Sequence, residues 1–225
     1  MKREVLDQLL RDREAKRPVV LVTDLESGDQ QLIYPGGDSE SELQELASLA
    51  QHADRSSAGQ VGGRDYFLNV FNPPLRMLIV GAVHIAQPLS EMAAIAGFEV
   101  CVIDPRSAFS SPERFPGIEV VRDWPDDALR SLAPDTRTAI VTLTHDPKLD
   151  DPALQVALRS TAFFVGSLGS KRTHAARLKR LHDAGFSDEE CAKIHGPVGL
   201  DIGAKSPAEI AASILAQVVQ ALRLG

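Results

Sequence analysis

The chain has 225 residues, with 24 Lys and Arg against 31 Asp and Glu, a formal net charge of −7. That balance argues against a general nucleic-acid surface, which works by exchanging condensed counterions for many cationic contacts. Hydrophobic residues at 44% and charged residues at 24% place it with globular proteins rather than disordered or membrane ones. Its cysteines, Cys101 and Cys191, share no C-x-x-C spacing, so a disulfide framework, a cysteine zinc site and an iron–sulfur cluster are excluded. The charged start is not a secretory signal, and no apolar run approaches the roughly 18 residues of a membrane span. A cytoplasmic protein is expected.

Residues 1–72 read as a small α+β domain. Val5, Leu6, Leu9 and Leu10 have helical spacing, and 19–22 and 31–34 read as strands around a turn at 27–29. Residues 39–53 predict an acidic helix carrying Leu43, Leu46, Leu49 and Ala50, 54–63 a polar loop, and 65–71 a strand. Asn72-Pro73-Pro74 then ends the pattern, because consecutive prolines donate no hydrogen bonds and restrict the residue before them. The domain boundary is placed there, leaving 73–225 as the second domain.

In that domain strands alternate with helices. Strands are expected at 77–80, 98–103, 118–121, 138–143 and 163–165, and helices at 84–96, 126–132, 152–159, 170–184, 187–194 and 206–224. Parallel neighbours need crossover connections, so the alternation predicts an α/β, Rossmann-like, doubly wound parallel sheet. The last helix opens on Ser206, Pro207 and Glu209, a strong start signal.

Ligands of such sheets bind at strand carboxyl ends, and four segments there carry candidate chemistry. After the first strand comes Gly81-Ala82-Val83-His84-Ile85-Ala86, where a dinucleotide fold carries G-x-G-x-x-G/A; Val83 puts two methyls where the second glycine would admit a pyrophosphate. Asp104, at the end of the second strand, is spaced for a ribose hydroxyl, and Arg106 for a phosphate. Thr144, His145 and Asp146 follow the fourth strand as acid and base, metal ligands or hydrogen-bonding partners of a cofactor. Lys148, Asp150 and Asp151 beyond them read as a solvated turn. After the fifth strand, Gly166, Ser167, Gly169, Ser170, Lys171 and Arg172 form a candidate anion cradle at a helix N-terminus, with Arg177, Lys179 and Arg180 as a basic helix face. A glycine-rich loop, 194–204, carries Asp201. Cys101 reads as a buried small hydrophobe, and His52 and His182 as surface residues.

The segments 69–74, 81–87, 102–106, 144–148, 166–174 and 194–203 together resemble the Rossmann domain of the XdhC/CoxI family, accessory proteins of xanthine dehydrogenase and related molybdenum hydroxylases. The resemblance covers about 65–225. It implies a chaperone that binds molybdenum cofactor (molybdopterin) transiently, supports its sulfuration and delivers it to an apo-enzyme such as xanthine dehydrogenase, without turnover of a substrate. The cofactor-binding positions it implies are Gly81, Val83, His84, Asp104, Arg106, Thr144, His145, Asp146, Gly166, Ser167, Gly169, Ser170, Lys171, Arg172, His174 and Asp201, with no catalytic or metal-ligating residue assigned. A cysteine desulfurase, a second accessory protein and a homodimer are the partners it brings in view. Residues 1–72 hold no cysteine, and Gly62-Gly63-Arg64 is the nearest trace of the family's Gly-Gly-Cys motif, so the chain resembles a shortened, Rossmann-dominated branch. An NAD(P)-dependent oxidoreductase is the alternative from the enzyme class, supported by Asp104 and opposed by Val83; a protein–protein adaptor that has lost its ligand is the third reading. The acidic excess includes Asp38, Glu40, Glu42, Glu45 and Asp54, while the cations gather beside the cradle.

Overall fold

The computed structural model describes residues 2–34, 41–109 and 111–224. The chain divides into two compact units, Met1–Pro73 and Pro74–Gly225.

In the first unit, α1 (Arg3–Glu14) precedes β1 (Val19–Asp24), β2 (Gln30–Ile33), α2 (Glu42–His52), β3 (Ser57–Val61) and β4 (Arg64–Phe71). The strands form an antiparallel sheet of order β2-β1-β4-β3. Its core joins Val20, Val22, Ile33 and Leu68 to Ala47 and Ala50 of α2. The first residues of the helix expected at 39–53 lie outside the described residues, as do Asp38 and Glu40; α2 starts after Ser41, whose Oγ accepts the Gln44 N–H at 3.2 Å. One expectation is corrected. Part of the polar stretch 54–63 is β3, joined to β4 by a two-residue turn in which Gly62 and Gly63 both take positive φ, 58° and 79°. Such turns match the twist of an antiparallel hairpin, and the pairing holds a strand whose own sequence lacks clear alternation.

The second unit contains β5 (Arg76–Val80), α3 (Ala86–Ile95), β6 (Glu99–Ile103), a 3₁₀ turn (Pro112–Arg114), β7 (Glu119–Val121), α4 (Pro125–Leu132), β8 (Thr138–Thr142), α5 (Pro147–Arg159), β9 (Phe164–Ser167), α6 (Lys171–Asp183), α7 (Asp188–Cys191), β10 (Ile194–His195) and α8 (Pro207–Leu224). All strand pairs are parallel, in the order β10-β9-β8-β5-β6-β7. This is the expected Rossmann-like sheet. Alternate residues of β5 feed opposite layers: Met77 and Ile79 pack with Leu89, Ala93, Ile214 and Val218 of α3 and α8, whereas Leu78 and Val80 pack with Leu129, Leu154 and Leu181 of α4, α5 and α6. The chain winds outward from β5 in one direction and from β8 in the other, so the carboxyl ends of these two strands make the crevice at which ligands of open α/β sheets bind.

Two helix boundaries differ from expectation. α5 begins at Pro147 rather than near 152, with Asp146 as its cap and Pro152 inside it. The hydrogen bond that Pro152 cannot make would go to the carbonyl of Lys148, an exposed residue where water can replace it. Helix 187–194 is cut short at Cys191, and Ile194 instead pairs with Val165 as β10, burying its side chain in the layer of α5 and α6. Among the described residues no helix is long and apolar enough to cross a membrane.

Both cysteines are free and buried. Burial, reinforced by nearby Glu119, pushes the Cys101 thiol up to about 12, and burial also raises Cys191. Because the thiolate is the reactive form, both should stay unmodified by a thiol-specific disulfide reagent at pH 8 until the chain is unfolded; rapid labelling of the native protein would contradict this packing.

Candidate functional site

Four turns succeed one another along the carboxyl edge of the sheet, after β6, β5, β8 and β9. The turn after β5 is closed from beneath. Gly81 donates its N–H to the Ile103 carbonyl at 2.8 Å, and the next N–H, of Ala82, goes to Asp104 Oδ2 at 2.8 Å. Asp104 is fully buried, and its carboxylate also accepts the Arg106 N–H at 2.9 Å and the Arg106 guanidinium through Nε (2.9 Å) and Nη2 (2.7 Å). Burial works against the Asp104 charge, but the bonds from Arg106 and Ala82 hold its carboxyl below the usual 3.8. Asp104, expected at a ribose hydroxyl, thus has its carboxylate engaged by Ala82 and Arg106. Arg106, expected to face a phosphate, clamps Asp104 and lies over the Phe109 ring at 4.5 Å. Val83 is half-buried against the core layer of α3 and α8, and His84 is exposed. Arg114 Nη1 donates to the Ala82 carbonyl at 2.9 Å while its Nη2 donates to Gln87 Oε1 at 3.1 Å, so a second arginine braces the same turn.

The turn after β8 is held by a residue taken from the sequence as solvated. Asp150, in the first turn of α5, is 1% exposed. It reaches back to accept Thr144 Oγ1 at 2.6 Å and the His145 N–H at 3.0 Å. Those bonds fix His145, exposed at its side chain, in the left-handed region at φ 62°, a conformation that a non-glycine residue keeps only when its surroundings impose it. Asp146 is occupied as the α5 cap, accepting the Lys148 N–H at 3.0 Å. The turns after β5 and β8 touch: Gly81, at φ 106°, has no room for a Cβ against the Thr144 methyl.

Gly166 and Ser167 are the last two residues of β9 rather than part of the turn after it; both are buried, and Ser167 Oγ shares a 2.5 Å hydrogen bond with Thr142 Oγ1. Ser170 caps α6, its Oγ accepting the Thr173 N–H at 3.1 Å. Lys171 and Arg172 are exposed at the first two positions of this helix, and no acidic residue lies in its first turn. The basic face is narrower than expected. Arg177 is 1% exposed and turned inward, with Nη2 donating to the Leu168 carbonyl at 2.9 Å and lying 3.8 Å from Asp150 Oδ2. Arg180 is engaged with Asp151, so Lys171, Arg172 and Lys179 remain as the exposed cations. His174 is half-buried, its Nδ1 packed on Gly196 without a hydrogen-bond partner. Burial first, and the Arg177 charge second, lower its pKa and so favour the neutral ring. The loop with Asp201 is pinned to α8 through Gly199 N–H to Gln217 Oε1 at 2.7 Å; Asp201 itself is exposed.

The structure thus joins Gly81 to Thr144 and, through buried Asp150 and Arg177, the turn after β8 to that after β9. Sequence reasoning missed Asp150 and Arg177, whose charged neighbours made them look solvated, and singled out no role for Arg114. No group of three or more His, Cys, Asp or Glu able to hold a metal ion occurs among the described residues. A concavity between α4 and α5, lined by Leu129, Gln155 and Arg159, lies away from these turns.

The family model described as the XdhC Rossmann domain matches residues 77–218. The chain is 35% identical over 148 residues to an Escherichia coli (strain K12) protein named molybdenum cofactor insertion chaperone PaoD, a match covering 66% of this chain and 40% of that protein. It is 31% identical over 155 residues to a Bacillus subtilis (strain 168) protein named as a probable xanthine dehydrogenase subunit, covering 68% and 45% of the two chains. A crystal structure described as a xanthine dehydrogenase from Bacillus halodurans is similar across 99% of this chain and 67% of its own, with TM-score 0.71 and 26% identity. The chain therefore spans less than half the length of the curated relatives it matches.

Proposed function

The chain belongs to the XdhC family, and from that premise we propose that it is an accessory chaperone that holds molybdenum cofactor, supports its sulfuration and passes it to a xanthine dehydrogenase-type apo-enzyme. Support comes from the name of the 35% identical relative, a molybdenum cofactor insertion chaperone. The observation in this chain that carries the reading is the start of α6. A helix N-terminus favours acidic side chains, yet α6 opens on Lys171 and Arg172, each opposing the dipole by about 0.3–1 kcal/mol. Two exposed cations beside unpaired helix N–H groups suit an anionic ligand, and the cofactor ends in a phosphate or nucleotide.

In this reading Lys171, Arg172 and the first N–H groups of α6 hold the anionic end, Gly169 leaves the turn before α6 without a side chain, and the Gly81 and Thr144 turns border the rest. The bound group supplies the molybdenum centre that the client enzyme uses. Sulfur for its maturation comes from a cysteine desulfurase, and a second accessory protein takes part in the transfer. Asp104 argues against the NAD(P) alternative, since its carboxylate is taken by Arg106 and Ala82.

The test is co-purification from a host that makes the cofactor, with molybdenum and pterin assayed and NADH and NADPH titrated in parallel. Retained molybdopterin without NAD(P)H binding is expected. Saturable NAD(P)H binding with turnover would sink the chaperone reading. Lys171→Ala/Arg172→Ala should retain at least about tenfold less cofactor while unfolding at the wild-type temperature or slightly above it, because two unfavourable dipole interactions disappear. A folded double variant with full cofactor retention would remove the anion cradle from the proposal.

A further inference from the structure

We infer that the buried Asp150–Arg177 pair is a positioning device that couples the turn after β8 to the turn after β9, so that Thr144 and His145 are set in register with the start of α6. The inference rests on the cofactor-handling reading for the identity of the ligand alone; the coupling itself is a property of the unliganded chain.

Both partners are 1% exposed and come from different helices. Asp150 holds one turn through Thr144 Oγ1 and the His145 N–H, at 2.6 and 3.0 Å. Arg177 holds the other through the Leu168 carbonyl, at 2.9 Å. The two charges lie 3.8 Å apart, which makes one connected path from His145 to Leu168. Stability alone does not account for this arrangement. Arg177 Nε and Nη1 are buried with no hydrogen-bond partner, and a bare buried donor is destabilising. Burial drives Asp150 and Arg177 each toward its neutral form. A well-packed apolar pair would stabilise the fold at least as well. The strands beneath are already tied by the Leu168 N–H to the Thr142 carbonyl at 2.8 Å and by the Thr142–Ser167 hydroxyl pair. What an apolar pair could not do is grip a hydroxyl and an amide of one turn and a carbonyl of the next. The grip also sustains the left-handed backbone of His145.

The test reads backbone amides of the full chain by NMR and hydrogen exchange, with no ligand present. Asp150→Asn should speed exchange at His145 by about tenfold or more. Arg177→Met, which touches neither residue, should shift the Thr144 and His145 signals as well. In the reverse direction, Thr144→Val should shift Leu168 and Gly169. If Arg177→Met is folded and leaves Thr144 and His145 at wild-type positions, the coupling is wrong. Should that variant fail to fold, unchanged Leu168 and Gly169 signals in Thr144→Val overturn it equally. A merely structural pair is distinguished by Asp150→Leu/Arg177→Leu: wild-type thermal stability with His145 still released supports positioning, whereas recovery of both overturns it. Retention of molybdenum cofactor released from a purified molybdoenzyme is measured separately, so loss of the cofactor reading leaves the NMR outcome standing on its own.

Discussion

Replacing Gly81 by alanine is expected to lower the unfolding free energy of the second unit by about 3 kcal/mol, or roughly 10 °C in Tm. Two effects add. At φ 106° an L side chain is strained, at about 1–3 kcal/mol. The new methyl also meets the methyl of Thr144, and overpacking of that kind costs about 1–3 kcal/mol. Relaxation is blocked on both sides. Gly81 and Ala82 are tied to Ile103 and Asp104, and Thr144 is tied to Asp150. The double variant Gly81→Ala/Thr144→Ser removes the opposing methyl and should recover about half of the loss, leaving the backbone part. A single variant that melts at the wild-type temperature would show that the two turns do not meet as described.

Arg106→Met should cost a further large amount, about 2–3 kcal/mol by denaturant titration at pH 7. Removing one partner of a buried pair strands the other charge, typically at 3–5 kcal/mol, and the value is reduced here because the Arg106 side chain is 36% exposed. Asp104 would keep only the N–H groups of Ala82 and Arg106. Asp104→Asn/Arg106→Met should regain most of the loss, since no charge is then left buried. The sign with pH follows from the lowered Asp104 pKa. The carboxylate's contribution is fully present above the unfolded value of 3.8 and is lost as pH falls through the lower folded value, so wild type and Arg106→Met should converge in strong acid. A gap between them that widens on acidification would contradict the assignment.

Much of the second unit is legible in its sequence because its central strands are short, largely apolar runs, and a parallel sheet covered on both faces demands that pattern. Gly81, Thr144 and Gly166 could be placed at strand ends for the same reason. β3 escaped because Ser57, Ala58, Gly59 and Gln60 carry neither alternation nor β-branching, and pairing with β4 makes the strand. β10 escaped because two residues are too few to show a period. The site's interior was hidden by a different cause. Asp150 stands among Lys148, Asp151 and Pro152, and Arg177 among Lys179 and Arg180, so local composition pointed to solvent; their burial is decided by α5 and α6 meeting across β8 and β9. Asp104 was placed at the correct strand end, but its partner, only two residues on, decides whether it faces outward, and spacing does not encode that choice.

The pairing of β5 with β8, Arg76 beside Thr138, also has a kinetic side. These strands are neighbours in space but separated in the chain by α3, β6, β7 and α4, so the central seam closes only after a long loop has been brought together, an entropically costly step that local helix formation does not assist. Gly81 and Thr144 lie just beyond the carboxyl end of that seam, one on each strand. A ligand contacting both would bind only chains in which this long-range seam has formed, and its free energy would be added across it. Occupancy of the crevice should then be readable as slower unfolding of the whole parallel sheet.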